Sequence, residues 1–219
     1  MESNSRTSDV PTQVKDQQLV ARRRRQIVDA AVQLFVAKGF HRTTTREIAR
    51  AAGMSIGSLY EYVSSKGDVL YLVCDAIHAE AESHIRRALE NTEGGRQALV
   101  EMIRQYFLVC HQMSDHILLV YQETQSLPAR WRKRVLENEV RFTGLFREVL
   151  SRLIDAGELP PIDERSLDLL AHTITVLGHM WTFRRWYLMR HYTIEDYAAT
   201  QTALIFGELL GQQEERSPQ

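Results

Sequence analysis

The sequence predicts an all-α protein of about nine helices, and three observations lead to this fold class. Apolar residues recur at intervals of three and four along most of the chain, as on the buried face of a helix. Nothing in the first 90 residues alternates with the period of two that is typical of a half-buried strand. Glycines, prolines and capping residues separate the apolar stretches at short intervals, so we expect the helices to be joined by short connections.

The chain begins with a predicted arm and two helices. Residues 1–20 are polar and lack periodicity, which predicts disorder. An apolar stripe over 23–38 predicts the first helix, which ends at Gly39. Thr44 and Glu47 have the spacing of a capping box, so a second helix is expected from about Thr45 to the next glycine.

Caps, glycines and prolines mark the remaining helices in the same way. The seven further predicted helices cover residues 55–62, 65–90, 99–110, 114–125, 128–154, 163–191 and 193–211. Pro128 suits the first turn of its helix, because its missing N–H would have no partner there. Residues 214–219 are predicted to be a frayed tail.

Charge is distributed unevenly along the chain. Residues 1–74 carry 11 Lys and Arg against 7 Asp and Glu, whereas the rest carries 16 against 21. A basic front end on an acidic body indicates that only the front meets a polyanion such as DNA. A solvated, arginine-rich helix face explains the charge alone equally well.

Several classes of protein are not expected. Two cysteines do not make a disulfide scaffold, and no export signal precedes the first helix, so we expect a soluble cytoplasmic protein. The longest stretch without a charged residue, Leu169 to Phe183, has 15 residues, which is short for a membrane span. No phosphate-binding loop, metal-ligand spacing or hydrolase motif is present, so no enzyme, cofactor or metal is expected.

The second and third helices have the properties of a helix-turn-helix. Ala49 is small enough for close packing of the pair, and Gly53 tolerates the backbone of a sharp turn. Ser55, Gly57 and Ser58 are small enough for their helix to enter a major groove, which is about 12 Å wide.

The segment from Arg25 to Asp75 resembles the DNA-binding domain of the TetR/AcrR family of bacterial transcriptional regulators. The resemblance rests on Gly39-Phe40, Thr43-Thr44, Ile48-Ala49, Ala52-Gly53-x-Ser55-x-Gly57-x-Leu59-Tyr60 and Ser65-Lys66. Two positions depart from the family pattern: Val63 stands where phenylalanine is usual, and Gly67 where an acid is common.

The resemblance implies a set of DNA contacts. Thr44 and Thr45 would touch phosphate, and Arg46 would reach phosphate or a base. The residues expected at base edges are Ser55, Ile56, Gly57 and Ser58, and those expected on the backbone are Tyr60, Tyr62 and Lys66. The alternative for Tyr60 is a half-buried core tyrosine. Separately, Arg24 and Arg25 in the run Arg22–Arg25 are predicted to enter the minor groove or lie along phosphates, the alternative being a solubilising run.

The body of the chain is rich in aromatic and apolar residues. Most of these must form the core, but some could line a ligand cavity between helices. The candidate effector-binding residues are Phe107, Tyr121, Gln122, Arg141, Phe142, Thr173 and Trp181. The family resemblance implies an effector pocket whose occupation disfavours DNA binding.

Two helices near the C-terminus carry small residues at helical intervals. The candidate dimer-interface residues are Thr175, Gly178 and Thr182 on one helix and Thr200, Ala203 and Gly207 on the last. Isologous packing of two such pairs would give a four-helix dimer bundle. A dimer also places two reading helices about 34–36 Å apart, as a palindromic operator requires.

Two segments suggest the class of effector. Val120–Pro128 and Arg184–Gln201 resemble regulators of fatty-acid or sterol breakdown that respond to acyl-CoA thioesters. Under that hypothesis the arginines that could meet CoA phosphates are Arg130, Arg132, Arg134 and Arg141. The alternatives are surface pairs of these arginines with Glu137 and Glu139, and other hydrophobic or drug-like ligands.

The sequence therefore predicts four parts: a disordered arm (1–20), a helix-turn-helix domain (21–70), an effector-binding and dimerisation domain (71–213) and a tail (214–219). The main hypothesis is a homodimeric repressor that a small hydrophobic effector releases from a palindromic operator. The alternatives are a constitutive DNA-binding protein without effector and an all-helical enzyme.

Overall fold

The computed structural model describes residues 10–90 and 94–214, with side chains up to 87 in the first segment and up to 207 in the second. These residues form α-helices, one 3₁₀ turn and no strand, which confirms the all-α prediction. In chain order the helices are α1 (Gln17–Lys38), α2 (Thr45–Ala51), α3 (Ile56–Tyr62), α4 (Lys66–Glu90), α5 (Gly95–Gln112), α6 (Ser114–Glu123), the 3₁₀ turn Thr124–Ser126, α7 (Ala129–Asp155), α8 (Glu164–Leu188) and α9 (Ile194–Glu214). Residues 1–9 of the predicted arm and 215–219 of the predicted tail lie outside this description.

The described chain divides into two compact units. The first contains the chain up to Ala79 together with Leu118–Asn138, and the second contains Glu80–Ile117 and the chain from Glu139 onward. This division differs from the predicted boundary between residues 70 and 71. The reason is that 118–138 packs on the start of α4 through contacts between residues far apart in sequence, which helical periodicity does not reveal.

Helices α1, α2 and α3 pack around a small apolar core in the first unit. Ile27, Ile48 and Leu59 contribute one fully buried side chain from each of these helices. Removing an aliphatic side chain of this size from water stabilises the fold by roughly 1.5–3 kcal/mol. Ala49 is also buried, as predicted for the small residue that faces the partner helix.

The prediction of a disordered arm is wrong for residues 10–20, because 10–16 pack on the first unit and 17–20 belong to α1. Val10 is buried, and the Thr12 hydroxyl donates to the carbonyl of Glu61 in α3 at 2.9 Å. Helix α1 begins at Gln17, earlier than predicted, because the Asp16 carboxylate caps it by accepting backbone N–H groups. The polar composition of this segment conceals its packing, since Val10 is the one buried side chain of residues 10–16 and the Thr12 contact is a hydrogen bond to a backbone carbonyl.

In the second unit α5 packs against both α8 and α9. Gly178 permits the close approach of α8, because a Cβ there would lie 2.4 Å from Cε1 of Tyr106 and 2.9 Å from Sγ of Cys110. The Tyr106 hydroxyl donates to the carbonyl of Thr175 at 2.9 Å. A tyrosine thus fills the space that a side chain at position 178 would take.

Both cysteines are free and buried. Burial raises the pKa of the Cys74 thiol and of the Cys110 thiol to about 12. Each stays protonated at neutral pH and packs as a small apolar side chain, in agreement with the interpretation from sequence.

Candidate nucleic-acid interface

Helix α2 begins at a capping box that also fastens it to α1. The Thr44 hydroxyl accepts the N–H of Glu47 at 3.3 Å, and Oε2 of Glu47 accepts the N–H of Thr44 at 2.8 Å. Lys38, at the end of α1, donates to Oε1 of Glu47 at 2.5 Å. These bonds, first of all the one from Lys38, lower the pKa of Glu47 from 4.5 to about 2. The carboxylate therefore stays charged at neutral pH and keeps α2 attached to α1.

A glycine and a serine set the turn between α2 and α3. Gly53 has φ +69°, a backbone conformation that strains any residue with a side chain. The N–H of Met54 donates to the carbonyl of Ala49 at 3.0 Å and closes the turn. The Ser55 hydroxyl then accepts the N–H of Ser58 at 3.1 Å, which caps α3. The predicted turn and the start of the third helix are confirmed.

Helix α3 has an exposed face on which Gly57 lies between two larger residues, Ile56 and Tyr60. Ile56 is 37% exposed and Tyr60 is 47% exposed, whereas Leu59 points inward. A Cβ on Gly57 would meet only Oγ of Ser55, at 3.8 Å, which is ordinary contact. Glycine costs a helix roughly 0.5–1 kcal/mol relative to alanine. Packing within the described chain gives no reason for this glycine, but its missing side chain lets another molecule approach the backbone of α3.

Two hydroxyls from different helices meet beside this face. Oγ1 of Thr45, in the first turn of α2, lies 3.2 Å from the hydroxyl oxygen of Tyr60 on α3. One hydroxyl donates to the other in this pair, and the hydrogen of the accepting hydroxyl is left to donate to a phosphate group. The structure thus brings together two residues that were predicted separately as phosphate contacts.

Exposed arginines surround the helix-turn-helix. They are Arg22, Arg25, Arg42, Arg46 and Arg50. Arg25 and Arg46, both predicted to contact DNA, have the exposure that such a contact requires. Arg42 donates from Nε to the carbonyl of Lys38 at 2.7 Å, which orients its guanidinium at the end of α1.

The predicted DNA contact of Arg24 is wrong. Because α1 begins at Gln17, the arginine run lies within the helix and its members point in different directions. Arg24 is 2% exposed, and its Nε and Nη2 atoms donate to the carbonyl of Tyr62 at 3.2 and 3.1 Å. Burial lowers the pKa of Arg24, an effect that the nearby Asp68 opposes. A guanidinium held in this way cannot reach a DNA groove.

The geometry also contradicts the predicted backbone contacts of Tyr62 and Lys66. Tyr62 is only 4% exposed, because it lies three residues after Leu59 and shares its inward face. Nζ of Lys66 donates to the carbonyls of Phe40 and Thr43, both at 3.0 Å, and lies 4.2 Å from the centroid of the Phe40 ring. Lys66 therefore closes the loop between α1 and α2 instead of offering its charge to phosphate.

Buried polar bonds attach the start of α7 to the start of α4, and sequence reasoning missed them. The Asp68 carboxylate accepts Nε1 of Trp131 at 2.6 Å and Nη2 of Arg130 at 3.0 Å. Asn138 donates to the Asp75 carboxylate at 2.9 Å. One signal was present: the two aspartates are seven residues apart, as are Trp131 and Asn138, which places each pair on one helix face. We name the Asp68–Trp131–Arg130 group the clasp.

Close packing accompanies the clasp. A Cβ on Gly67 would lie 3.1 Å from Cδ of Pro128, which explains the glycine where the family often has an acid. The rings of Tyr71 and Trp131 stack with centroids 4.1 Å apart. Oγ of Ser126 lies 3.2 Å from Nε2 of His41, so the turn after α6 also contacts the loop before α2.

The predicted effector residues separate into two groups. Phe107, Phe142 and Trp181 are buried in the second unit, where Tyr106 and Tyr197 connect them with ring centroids 5.2–5.8 Å apart. The remaining four are exposed: Tyr121, Gln122, Arg141 and Thr173. The first two of those belong to the other unit. The structure brings only the three aromatic side chains into one cluster.

The predicted dimer residues on α8 are on the wrong side of that helix. Thr175, Gly178 and Thr182 are buried inside the protomer against α5, where Gly178 meets Tyr106 and the Thr182 hydroxyl donates to the carbonyl of Cys110 at 3.2 Å. Small residues indicate close helix packing, but they do not tell whether the partner helix belongs to the same chain. The predicted residues on α9, in contrast, are exposed: Thr200, Ala203 and Gly207.

The exposed side of α8 carries large apolar residues that sequence reasoning did not select. Leu169 is 68% exposed, Val176 is 56% exposed and Phe183 is 39% exposed, at intervals of seven residues along one face. On α9, Leu204 is 61% exposed beside Ala203. Apolar residues repeated on one helix face are costly to leave in water.

Within 10–90 and 94–214, no group of three potential metal ligands comes together. In the same residues, no helix combines the length and apolarity that a membrane crossing needs.

Two family models match this chain. Residues 27–71 match the model described as "Bacterial regulatory proteins, tetR family". Residues 92–207, more than half of the chain, match the model described as "Tetracyclin repressor-like, C-terminal domain". The two matches cover the helix-turn-helix and most of the body.

Characterised relatives and a solved structure agree with these matches. The HTH-type transcriptional regulator HbdR of Aromatoleum sp. (strain CIB) is 29% identical, over 88% of this chain and 83% of its own. The fatty acid metabolism regulator protein of Bacillus subtilis (strain 168) is 23% identical, over 61% of this chain and 69% of its own. The crystal structure of AibR in complex with isovaleryl coenzyme A and operator DNA has a TM-score of 0.66 at 18% identity, over 83% of this chain and 97% of that one. At this identity the structural match shows a shared fold.

Proposed function

Because this chain belongs to the TetR family of bacterial regulatory proteins, which are DNA-binding transcriptional regulators and not enzymes, we propose that it is a homodimeric repressor. It binds a palindromic operator in the cytoplasm, and an acyl-CoA thioester releases it. The observation that carries this proposal is the open face of α3, where Gly57 has no packing reason within the described chain.

Helix α3 enters the major groove in this proposal. Its exposed first turn offers Ile56, Gly57 and Ser58 to base edges, with Ser55 at the point of entry. The groups proposed to fix the helix against phosphates are Thr45, Tyr60, Arg46 and Arg25. Thr44 is not among them, because its hydroxyl and its N–H both donate to Oε2 of Glu47 at 2.8 Å. The exposed arginines around the motif supply the favourable charge that any DNA-binding surface needs.

The apolar face of α8 and the small residues of α9 form the proposed dimer interface. Leu169, Val176 and Phe183 would leave water on association, and Ala203 and Gly207 would allow a partner helix to come close. Two copies related by a twofold axis then read two half-sites, which one short helix cannot do alone.

Replacing Val176 by aspartate is expected to separate the dimer. A charge buried at an isologous interface occurs twice, so its desolvation opposes association twice. Light scattering should show a 25.3 kDa monomer. Operator affinity should fall about a hundredfold or more with the loss of bivalent binding.

The matched control is Val140→Asp, the same change at a valine on α7 that is 63% exposed. This variant should keep the dimer and the operator affinity of the unchanged protein. If V176D remains a dimer, or if V140D dissociates equally, the proposed interface is wrong.

Relatives and the second unit support the proposed effector class. A relative bears the name of a fatty acid metabolism regulator, and a protein of the same fold was crystallised with isovaleryl coenzyme A. The buried cluster of Phe107, Phe142 and Trp181 is apolar, as the surroundings of an acyl chain have to be. Of the arginines considered for CoA phosphates, Arg130 contacts Asp68 and Arg134 lies 3.4 Å from Glu137, so we assign neither to the effector.

An acyl-CoA is expected to weaken operator binding by about 5–150-fold, the usual range of allosteric coupling. The measurement is a mobility-shift titration of the operator complex with isovaleryl-CoA and palmitoyl-CoA, with free CoA as the control. Release by a thioester but not by free CoA supports the proposal. If no thioester changes either the operator affinity or the melting temperature, the protein is a DNA-binding protein of another effector class or of none.

A further inference from the structure

Arg24 and the segment before α1 close the C-terminal end of α3. The guanidinium of Arg24 donates to the carbonyl of Tyr62, the last residue of that helix, from both Nε and Nη2. Nη2 also donates to the carbonyl of Val10. One buried cation thereby joins α1, the N-terminal segment and the end of α3.

A second pair of bonds reaches the preceding carbonyl of α3. The carbonyl of Glu61 accepts the Thr12 hydroxyl at 2.9 Å and the N–H of Gln13 at 3.4 Å. The last carbonyls of a helix have no partner within the helix itself. Here residues 10–13 and Arg24 supply those partners, and they also fix the direction in which the helix ends.

Helix α3 needs such support, because it has only seven residues. A helix of this length does not hold its own conformation or position in water. At its N-terminal end the Ser55 cap and the Gly53 turn hold it, and along its length Leu59 anchors it to the core. At its C-terminal end the polar contacts include Arg24, Thr12 and Gln13.

We propose that Arg24 and Thr12 are positioning residues for sequence discrimination, and we name them the brace. The inference rests on the proposed insertion of α3 into the major groove. Direct base contacts tolerate a displacement of only about 0.5 Å. Phosphate contacts made by flexible arginines tolerate more. Loosening the brace should therefore weaken binding to the correct operator more than binding to unrelated DNA.

Arg24→Lys in the full chain is the direct test. Lysine keeps the charge but cannot offer two donors in the fixed geometry of the guanidinium. We expect operator affinity to fall roughly tenfold or more, the effect of a mismatched base pair, while affinity for unrelated DNA changes about twofold at most. Thr12→Val, which removes one hydroxyl at a half-buried position, should lower the ratio of operator affinity to affinity for unrelated DNA by a smaller factor, and Thr12→Ser should restore that ratio.

Arg152→Lys, the same change at an arginine of α7 whose side chain is 74% exposed, is the matched control and should leave both affinities unchanged. If R24K unfolds, T12V still provides the test. The proposed role of the brace is overturned if the variants lose affinity equally for operator and for unrelated DNA. It is also overturned if neither T12V nor a folded R24K changes either affinity. If the unchanged protein shows no preference for any DNA sequence, the proposed function fails instead, which separates the two failures.

Discussion

Replacing Gly57 by alanine is expected to weaken operator binding by roughly 10–100-fold while leaving the protein as stable as before or more stable. Nothing in the described chain crowds the added methyl group, since its nearest neighbour would be Oγ of Ser55 at 3.8 Å. Alanine also favours the helix by roughly 0.5–1 kcal/mol over glycine. In the proposed complex the same methyl group separates the backbone of α3 from the base edges, at a cost of about 1–3 kcal/mol of binding.

Two measurements on one sample separate these effects: thermal unfolding and the dissociation constant for operator DNA. The control is Gly144→Ala on α7, where a Cβ would meet nothing within 4 Å. Both variants should unfold at the same or a higher temperature, but only G57A should lose operator affinity. If G57A binds the operator as the unchanged protein does, the face around Gly57 does not approach DNA closely.

Replacing Asp68 by alanine is expected to destabilise the first unit by about 2–4 kcal/mol. Asp68 is fully buried and accepts Nε1 of Trp131 at 2.6 Å and the N–H of Ser64 at 3.0 Å. Alanine would leave both donors without this acceptor and would remove the attachment between the starts of α4 and α7. Hydrogen exchange of the amides in 45–79 and urea unfolding would measure the loss.

Two further variants separate the contributions of Trp131 and Arg130 to the stability that the clasp provides. Trp131→Phe removes the indole N–H together with part of the buried ring and should cost about 2–3 kcal/mol, because a buried bond is lost and a cavity is left. Arg130→Ala should cost at most about 1 kcal/mol, because the Arg130 side chain is 60% exposed and its ion pair is screened by water. If R130A costs as much as D68A, the charge pair and not the buried indole bond holds the clasp.

Local signals account for what the sequence predicted well. The capping box of Thr44 and Glu47, the left-handed turn at Gly53 and the Ser55 cap each act within four residues, so their spacing is visible in the chain. These signals located α2 and α3 closely. The exposed character of Gly57 and Tyr60 also followed from the pattern, because the apolar Leu59 defines the inward face.

The errors arose where a side chain's partner is distant in sequence. Arg24 lies in a run of four arginines, which predicted a DNA contact. In the structure it donates to the carbonyl of Tyr62, 38 residues away. Gly178 identified a close helix contact correctly, but its partner is α5 of the same chain. The clasp joins residues 63 positions apart, beyond the reach of any helical period.

Selection of bound sequences from a pool of random DNA duplexes by the full-length protein tests the central claim most directly. Insertion of two α3 helices into successive major grooves predicts an enriched inverted repeat whose half-site centres lie about 10 base pairs apart. The same duplexes should not be enriched when G57A replaces the unchanged protein. Enrichment of a single half-site, or of no sequence at all, would contradict the account.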